Sequence, residues 1–539
     1  MRKYFSVVAF LLIATTLMAV PARPGARLVT QPDGSTITVY QHGNQYFHYF
    51  TDEVGNRLEQ REDGFFYAAP ALTDAEIERR IASSSRRKVA QQKLHLPSAT
   101  QTATPLNIAP RGLLVLVSFK DEAFSTDKAE IDSMINGSNY SRSYSYRYRG
   151  STYTIQSTGS ARQYFIDQSM GQYKPQFDVV GPYTLPQNMS YYGDNDSKGN
   201  DKRPEQMIMD ACDLADADGV DFSIYDNNND GELDFVFVIY AGYGEADGGS
   251  SGTIWPHFYW VNEGDHATTK YLDGKLLNAY ACSNEISAYS DMYNGIGTFC
   301  HEFSHVLGFP DFYATNDATH KTLGEWDILD GGPYNNDGNT PPAYSAYERF
   351  FMGWLTPEIL NEPKSVTLKD IKKSNKAYII TSSGESNLVG NDPNPTEFYI
   401  LENRQLSGWD KFLPGHGMLL TKIKYSYRSW YNGTPNDDSN NMGIDLIEAD
   451  GVEPTYGKSG YYGKAKDAFP AGAQAYVPYY KYPIENIKES YGVITFDFMG
   501  GVDALEDIEA AENNQKVIYQ GQIYIHHNGE WYDIMGRKL

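Results

Sequence analysis

The sequence predicts a mixed α/β (α+β) core, preceded by a small β-rich unit and followed by a β-sandwich-like domain. Three observations predict it. Residues 113–119 and 235–240 are continuous apolar runs, the pattern of strands buried on both faces. Helical stretches at 159–166, 207–214 and 296–307 alternate with them. From about residue 359 the chain changes to short alternating runs at 365–368, 377–380, 398–402 and 418–423, which suit packed antiparallel sheets.

Residues 1–22 read as a signal peptide. Arg2 and Lys3 supply the positive start, 5–18 the apolar stretch, and Ala19 and Ala22 the small residues at which cleavage is expected. The apolar stretch is too short for an anchor, and Pro21 follows it at once. The chain is therefore expected to be secreted, extracellular or on the cell surface. Residues 23–108 form the β-rich unit and a linker, expected to be a pro-segment. Gln31-Pro32-Asp33-Gly34 is a turn, and 36–40 and 46–50 are strands. Thr73 and Glu76 make a capping box that opens a charged helix running to about Lys93. Residues 97–110 have linker composition. Arg79-Arg80 and Arg86-Arg87-Lys88, just before it, are processing sites or a solvated helix face.

Hydrophobic residues make up 41% of the 539, enough for several buried cores. A net charge of −24 argues against nucleic acid and anionic membrane as partners. No stretch after the first can span a membrane. The cysteines are Cys212, Cys282 and Cys300. In an oxidising compartment Cys282 and Cys300 can pair; the alternative is three buried free thiols.

The chemistry concentrates in His301-Glu302-Phe303-Ser304-His305-Val306-Leu307-Gly308-Phe309-Pro310-Asp311. On a helix, Ile296, Phe299, Cys300, Phe303, Val306 and Leu307 share one face, and His301, Glu302 and His305 the other. The first face docks the helix; the second is expected to face a cleft. Two imidazoles four residues apart grip one Zn²⁺, and the glutamate between them lies beside the open position as general base. Gly308 ends the helix, Pro310 prevents its continuation, and Asp311 can return as third ligand. Glu325 is the rival third ligand, but it lies in a Gly-rich turn and would leave the Gly308 bend without a metal purpose. Upstream, Asp226, Asn228, Asp230, Glu232 and Asp234, with Gly231 sixth, match the start of an EF-hand-type loop. Position twelve is Phe237, so the closing carboxylate is missing. A structural Ca²⁺ site is expected here; an Asx-rich turn is the alternative.

HEFSHVLGFPD, followed by GEWDILDGG at 324–332 and PPAYSAYERFFMGWLTP at 341–357, resembles the M6 (immune inhibitor A-like) secreted zinc metalloendopeptidases. The likeness covers about 85–450, including GYGEADGG from Gly242 and TIWPH around Trp255. It implies a metzincin-like catalytic domain, here 109–358, with an N-terminal pro-segment, zymogen secretion, calcium-supported structure and protein or peptide substrates. Metzincin-like sites carry Met in a turn beneath the zinc. Leu329 stands at the matching place and is nearly isosteric, so the hydrophobic floor is expected to survive.

The function expected is zinc-dependent hydrolysis of peptide bonds, with Tyr334 or Tyr344 as an assisting donor. No cysteine precedes Cys212, so a pro-segment cover must use a carboxylate such as Asp52, a reversed strand in the cleft, or steric cover. The competing expectation is a non-catalytic surface or adhesion protein on the same scaffold. Intact Glu302, His301, His305 and Asp311 speak against it. A glycan or ester hydrolase lacks support from paired carboxylates or a nucleophile elbow. The β-rich domain spans 359–500. Residues 501–539 read as an acidic linker and a hairpin turning at Asn528-Gly529, a stabiliser or a sorting tail.

Overall fold

The apolar run at 113–119 becomes strand Arg111–Ser118, flanked on both sides in a five-stranded sheet. A computed structural model describes residues 19–83 (except 62), 109–452 (except 149, 198, 263–267 and 317–319), 463–501, 515–519, 522–527, 530–533 and 537–539. The start of the expected signal peptide, most of the linker, the acidic linker of the tail and Asn528-Gly529 lie outside the described residues.

The sheet runs His257–Trp260, Ala279–Ile286, Val236–Tyr243, Arg111–Ser118, Gln176–Thr184. The last four strands are parallel and the edge strand His257–Trp260 is antiparallel. Leu113 to Val117 are fully buried, as two-faced burial requires. The other expected helices form at Ala161–Gln168 and Pro204–Ala217, the latter with Pro at its start where a missing N–H costs nothing.

Helix Gly297–Val306 carries the His-Glu-His set. Its Phe299 and Phe303 rings meet Phe177, Phe235 and Phe237 of the sheet, with centroids 4.6 Å (Phe299 to Phe237) and 5.2 Å (Phe303 to Phe177) apart at the extremes. These aromatic contacts fix the helix's rotation. Gly297 is required by close approach, because a Cβ there would sit 1.8 Å from the Pro333 carbonyl oxygen. The polar face is also buried, because residues 19–23 lie over it.

The N-terminal strands Ala26–Thr30, Thr36–Asn44, Phe47–Thr51, Arg57–Gln60 and Phe66–Ala68 form an antiparallel meander in chain order. Helix Asp74–Ser83 follows, its start capped by Thr73, whose hydroxyl accepts the Glu76 N–H at 3.2 Å. The meander lies against the main-sheet unit. Gln41 donates to the Glu245 carbonyl at 2.8 Å, Asn44 to the Thr315 carbonyl at 3.1 Å, and the His48 ring packs 4.9 Å from Trp255.

Beyond residue 357 two sheets stack. One contains Glu358–Ile359, Tyr378–Ile380, Glu397–Arg404, Gly417–Lys424 and Ile444–Leu446; the other Lys364–Leu368, Val493–Phe498 and Ile484–Ser490. Ile380, Leu401 and Leu420 meet Leu368, Ile494 and Phe496 between the sheets. Ile379, Ile400 and Ile423, on the opposite face of the larger sheet, join the core that also holds the metal helix. Buried charges reinforce this joint. Arg404 binds Asp410 through Nε at 2.8 Å and the Ala343 carbonyl at 2.9 Å, while Glu402 accepts the Ala346 N–H at 3.1 Å.

Among the described residues, no helix is long and apolar enough to cross a membrane. The tail strands Gln515–Tyr519, Gln522–His527 and Glu530–Asp533 form an antiparallel meander. The possible Cys282–Cys300 disulfide is absent: all three cysteines are buried thiols. Cys282 lies 3.6 Å from the His257 ring, whereas Cys300 faces the Tyr164 and Tyr344 side of the helix.

Arg404→Ala would remove the buried cation bound to Asp410 and leave Arg349 as the remaining buried cation acting on Glu402. It should cost about 3–5 kcal/mol of stability by denaturant unfolding; an unchanged midpoint would refute a structural role for this pair.

Candidate metal centre

Each histidine of the helix is oriented by a backbone carbonyl. His301 Nδ1 lies 2.7 Å from the Ile328 oxygen, and His305 Nδ1 lies 2.8 Å from the Phe309 oxygen. A carbonyl accepts only, so each Nδ1 carries the proton and each Nε2 is left with a lone pair. The two Nε2 atoms are 3.1 Å apart. Asp311 Oδ1 lies 3.2 Å from the first and 3.4 Å from the second. Three buried electron-pair donors thus point at one another, and Asp311 Oδ1 has no hydrogen-bond partner. A single proton cannot satisfy all three; a divalent cation can. Burial favours neutral His305, the form that ligates.

The loop that returns Asp311 follows from Gly308, whose φ of +98° lets the chain leave the helix abruptly. The Phe312 N–H then donates to the Leu329 carbonyl at 2.8 Å, which pins this loop to the turn at 324–332. Leu329 is fully buried in that turn. Its neighbour Ile328 supplies the carbonyl that holds His301, so the turn supports a histidine directly.

Glu302 stands beside the three donors. His301, Glu302 and His305 offer atoms within 4.8 Å of one another. Yet Glu302 Oε2 is 4.0 Å from His305 Nε2, farther than Asp311 Oδ1, so Asp311 makes the better third donor. Burial and then the charge of Asp311 push the Glu302 carboxyl well above the usual carboxylate range. Glu325 faces elsewhere, accepting the Gly463 N–H; burial raises its carboxyl to about 7.

The space above these residues holds the chain's own segment 19–23. The Val20 N–H donates to Glu302 Oε1 at 3.1 Å, and the Ala19 N–H to Asp311 Oδ2 at 3.4 Å. Trp255 Nε1 donates to the Val20 carbonyl at 3.0 Å, and the Tyr334 hydroxyl to the Pro21 carbonyl at 2.7 Å. Tyr313 donates to the Ala19 carbonyl. The expected boundary at residue 22 falls inside this bound stretch. Asp52 is not here: it is exposed to solvent at its tip and caps its own turn, accepting the Val54 and Asn56 N–H groups at 2.9 and 2.8 Å. Of the two candidate tyrosines, Tyr334 borders Glu302, whereas Tyr344 binds Ser304 at 2.6 Å on the far side of the helix. Tyr313 was not foreseen; its position two residues after Asp311 was the available signal.

The side chains of the acidic loop bond to one another and to neighbouring groups. Lys275 places its ammonium 2.6 Å from Asp226, Asp234 turns to Asn227 at 2.8 Å, and Glu232 accepts from Asn278 at 2.8 Å. Asp230 accepts from the Glu232 N–H at 2.9 Å and Asn228 Nδ2 reaches Asp230 at 3.0 Å, as in an Asx-rich turn. The sequence pattern could not reveal a lysine 49 residues from Asp226.

These features define a metallopeptidase-type centre. Residues 109–355 match the family model for the immune inhibitor A peptidase M6 catalytic domain, and this part of the chain is an M6-type domain. Among known proteins, immune inhibitor A of Bacillus thuringiensis subsp. alesti is 30% identical over 221 residues, 35% of this chain and 31% of that protein. The pre-pro-metalloprotease PrtV of Vibrio cholerae serotype O1 is 27% identical over 284 residues, 46% of this chain and 30% of that one. The matches span about a third of the relatives' length.

Metal analysis of purified variants tests the donor set. Asp311→Ala should lose bound zinc and Glu325→Ala should keep it; the reverse pattern would overturn the assignment.

Proposed function

We propose that the chain is an exported zinc-dependent endopeptidase, made as a zymogen, that hydrolyses protein or peptide substrates. The observation that carries this is the convergence of His301 Nε2, His305 Nε2 and Asp311 Oδ1 beside an unligated Glu302. His301, His305 and Asp311 would hold Zn²⁺. When bound, the ion acidifies a water and polarises the scissile carbonyl.

The residues of the chain do the rest. Glu302 accepts the attacking water's proton and passes it to the leaving amine; it already reaches a backbone N–H in the cleft at 3.1 Å. Tyr334 and Tyr313 hold hydroxyls against backbone carbonyls of the cleft-bound segment. On a substrate they are placed to donate to carbonyl oxygens and stabilise developing negative charge. Leu329, buried in the turn that carries Ile328, keeps His301 in register without touching substrate. Residues 19–23 and the meander behind them cover the site, which supports latency by occupation of the cleft rather than by a carboxylate switch.

Casein hydrolysis and zinc content, measured together, test the mechanism. Glu302→Gln should retain zinc and lose about 10²–10⁴-fold in rate. Retained hydrolysis by Glu302→Gln would contradict it. Leu329→Met should change the rate less than about threefold, since the swap conserves volume. Val20→Asp sets a carboxylate near Glu302 and should raise full-chain activity about tenfold by expelling the segment; no increase would count against latency by occupation.

A further inference from the structure

The residues that hold segment 19–23 do so largely through its backbone. Ala19, Val20, Pro21 and Arg23 each give an amide or carbonyl to Asp311, Tyr313, Glu302, Trp255, Tyr334 or the Ala246 carbonyl. Any polypeptide could make such contacts. Arg23 is the exception, because its side chain enters a built pocket. Its guanidinium binds Asp337, donates to Ser287 Oγ at 2.9 Å, and stacks 4.2 Å above the Tyr289 ring. Asp247 lies 3.9 Å away, and Tyr144 donates to the other oxygen of Asp337 at 2.6 Å.

The charge balance of this pocket is unusual. Asp247 is 4% exposed and Asp337 5%. The cations that act on them are Arg23 and, for Asp247, also Arg27, and both belong to the N-terminal segment. The 109–355 domain itself supplies the two carboxylates and tyrosine rings, but no cation among these influences. Asp247 Oδ1 is buried with no hydrogen-bond partner even while Arg23 is in place. Without a guest, two neighbouring carboxylates share one pocket with no cation between them, a negative field that favours entry of a cationic side chain. Planar guanidinium suits the site better than ammonium, because it can fork to Asp337 and Ser287 and lie flat on Tyr289.

We propose that Asp247 and Asp337 form a substrate subsite that selects arginine, and more weakly lysine, three residues along from the residue whose amide faces Glu302. Arg23 occupies it in the covered state as a stand-in for that substrate side chain. The inference rests on the endopeptidase reading for the word substrate, but the pocket's selectivity can be measured without hydrolysis.

The test uses the full chain carrying Arg23→Ala, which vacates the pocket, and Glu302→Gln, which prevents cutting. The probe is an acetylated, fluorescein-labelled peptide of sequence Ala-Val-Pro-Ala-Arg-Pro-Gly, compared with versions holding citrulline, lysine or alanine in place of arginine. Competition from the tethered segment lowers every affinity by the same factor and cancels in the ratios. Fluorescence anisotropy should show arginine binding at least about tenfold more tightly than citrulline or alanine, with lysine between. Adding Asp337→Asn or, separately, Asp247→Asn should shrink the arginine-to-citrulline ratio towards one. The citrulline comparison needs no further change to the protein, so a variant that fails to fold does not remove the test. Equal affinity for arginine and citrulline, or binding of neither, overturns the pocket. The same peptides offered to the Arg23→Ala chain with Glu302 intact separate the two claims. Preferential binding without cutting sinks the endopeptidase reading and leaves the pocket; cutting at equal rates with equal affinities does the opposite.

Discussion

The structure depends on keeping three buried donors pointed at one place. Two imidazole lone pairs and a carboxylate oxygen within 3.4 Å repel one another unless a cation sits among them. That arrangement survives because the donors are fixed from two parts of the chain. The turn at 324–332 holds His301 through Ile328, the post-helix loop holds His305 through Phe309, and the Gly308 bend delivers Asp311. The aromatic floor beneath Phe299 and Phe303 then sets the rotation of the helix that carries both histidines. Buried Arg404 and the larger C-terminal sheet brace the segment that follows. The donor cluster and the joint between the two halves thus share one core.

The N-terminal segment shares this site. Its backbone donates to one oxygen of Glu302 and one of Asp311, and its Arg23 binds Asp337 in the acidic pocket beside them. The meander carries the segment onto the cleft through Gln41 and Asn44. The segment and the groups it contacts are therefore complementary in charge. In our reading the cover must leave before a substrate can enter, and what it leaves behind is a cleft with one strongly acidic corner.

Much of this was legible in the sequence because it is local. The strands at 113–119 and 235–240 announce themselves by unbroken apolar composition, and the metal helix by its two faces and its Gly308 stop. Asp311 is preferred to Glu325 from the bend, and its Oδ1 lies 3.2 and 3.4 Å from the two imidazole Nε2 atoms. What could not be read depends on distant partners. Lys275 turns the acidic loop at Asp226 into an ion pair, and nothing in the spacing from Asp226 to Asp234 foretells it. Tyr334 and Tyr344 look alike in sequence, yet one faces Glu302 and the other Ser304. Residues 19–22 read as the end of a leader because their composition is small and apolar, and their contacts with Glu302 and Trp255 are tertiary and so invisible in the sequence.

The most direct test of the account is anomalous diffraction at the zinc edge from crystals of the full-length protein. The account predicts one strong peak at about 2.0–2.2 Å from His301 Nε2, His305 Nε2 and an Asp311 oxygen, with Glu302 outside the ligand set. A peak ligated by Glu302 or Glu325 in place of Asp311, or one at the Asp226 loop with none between the histidines, would contradict it.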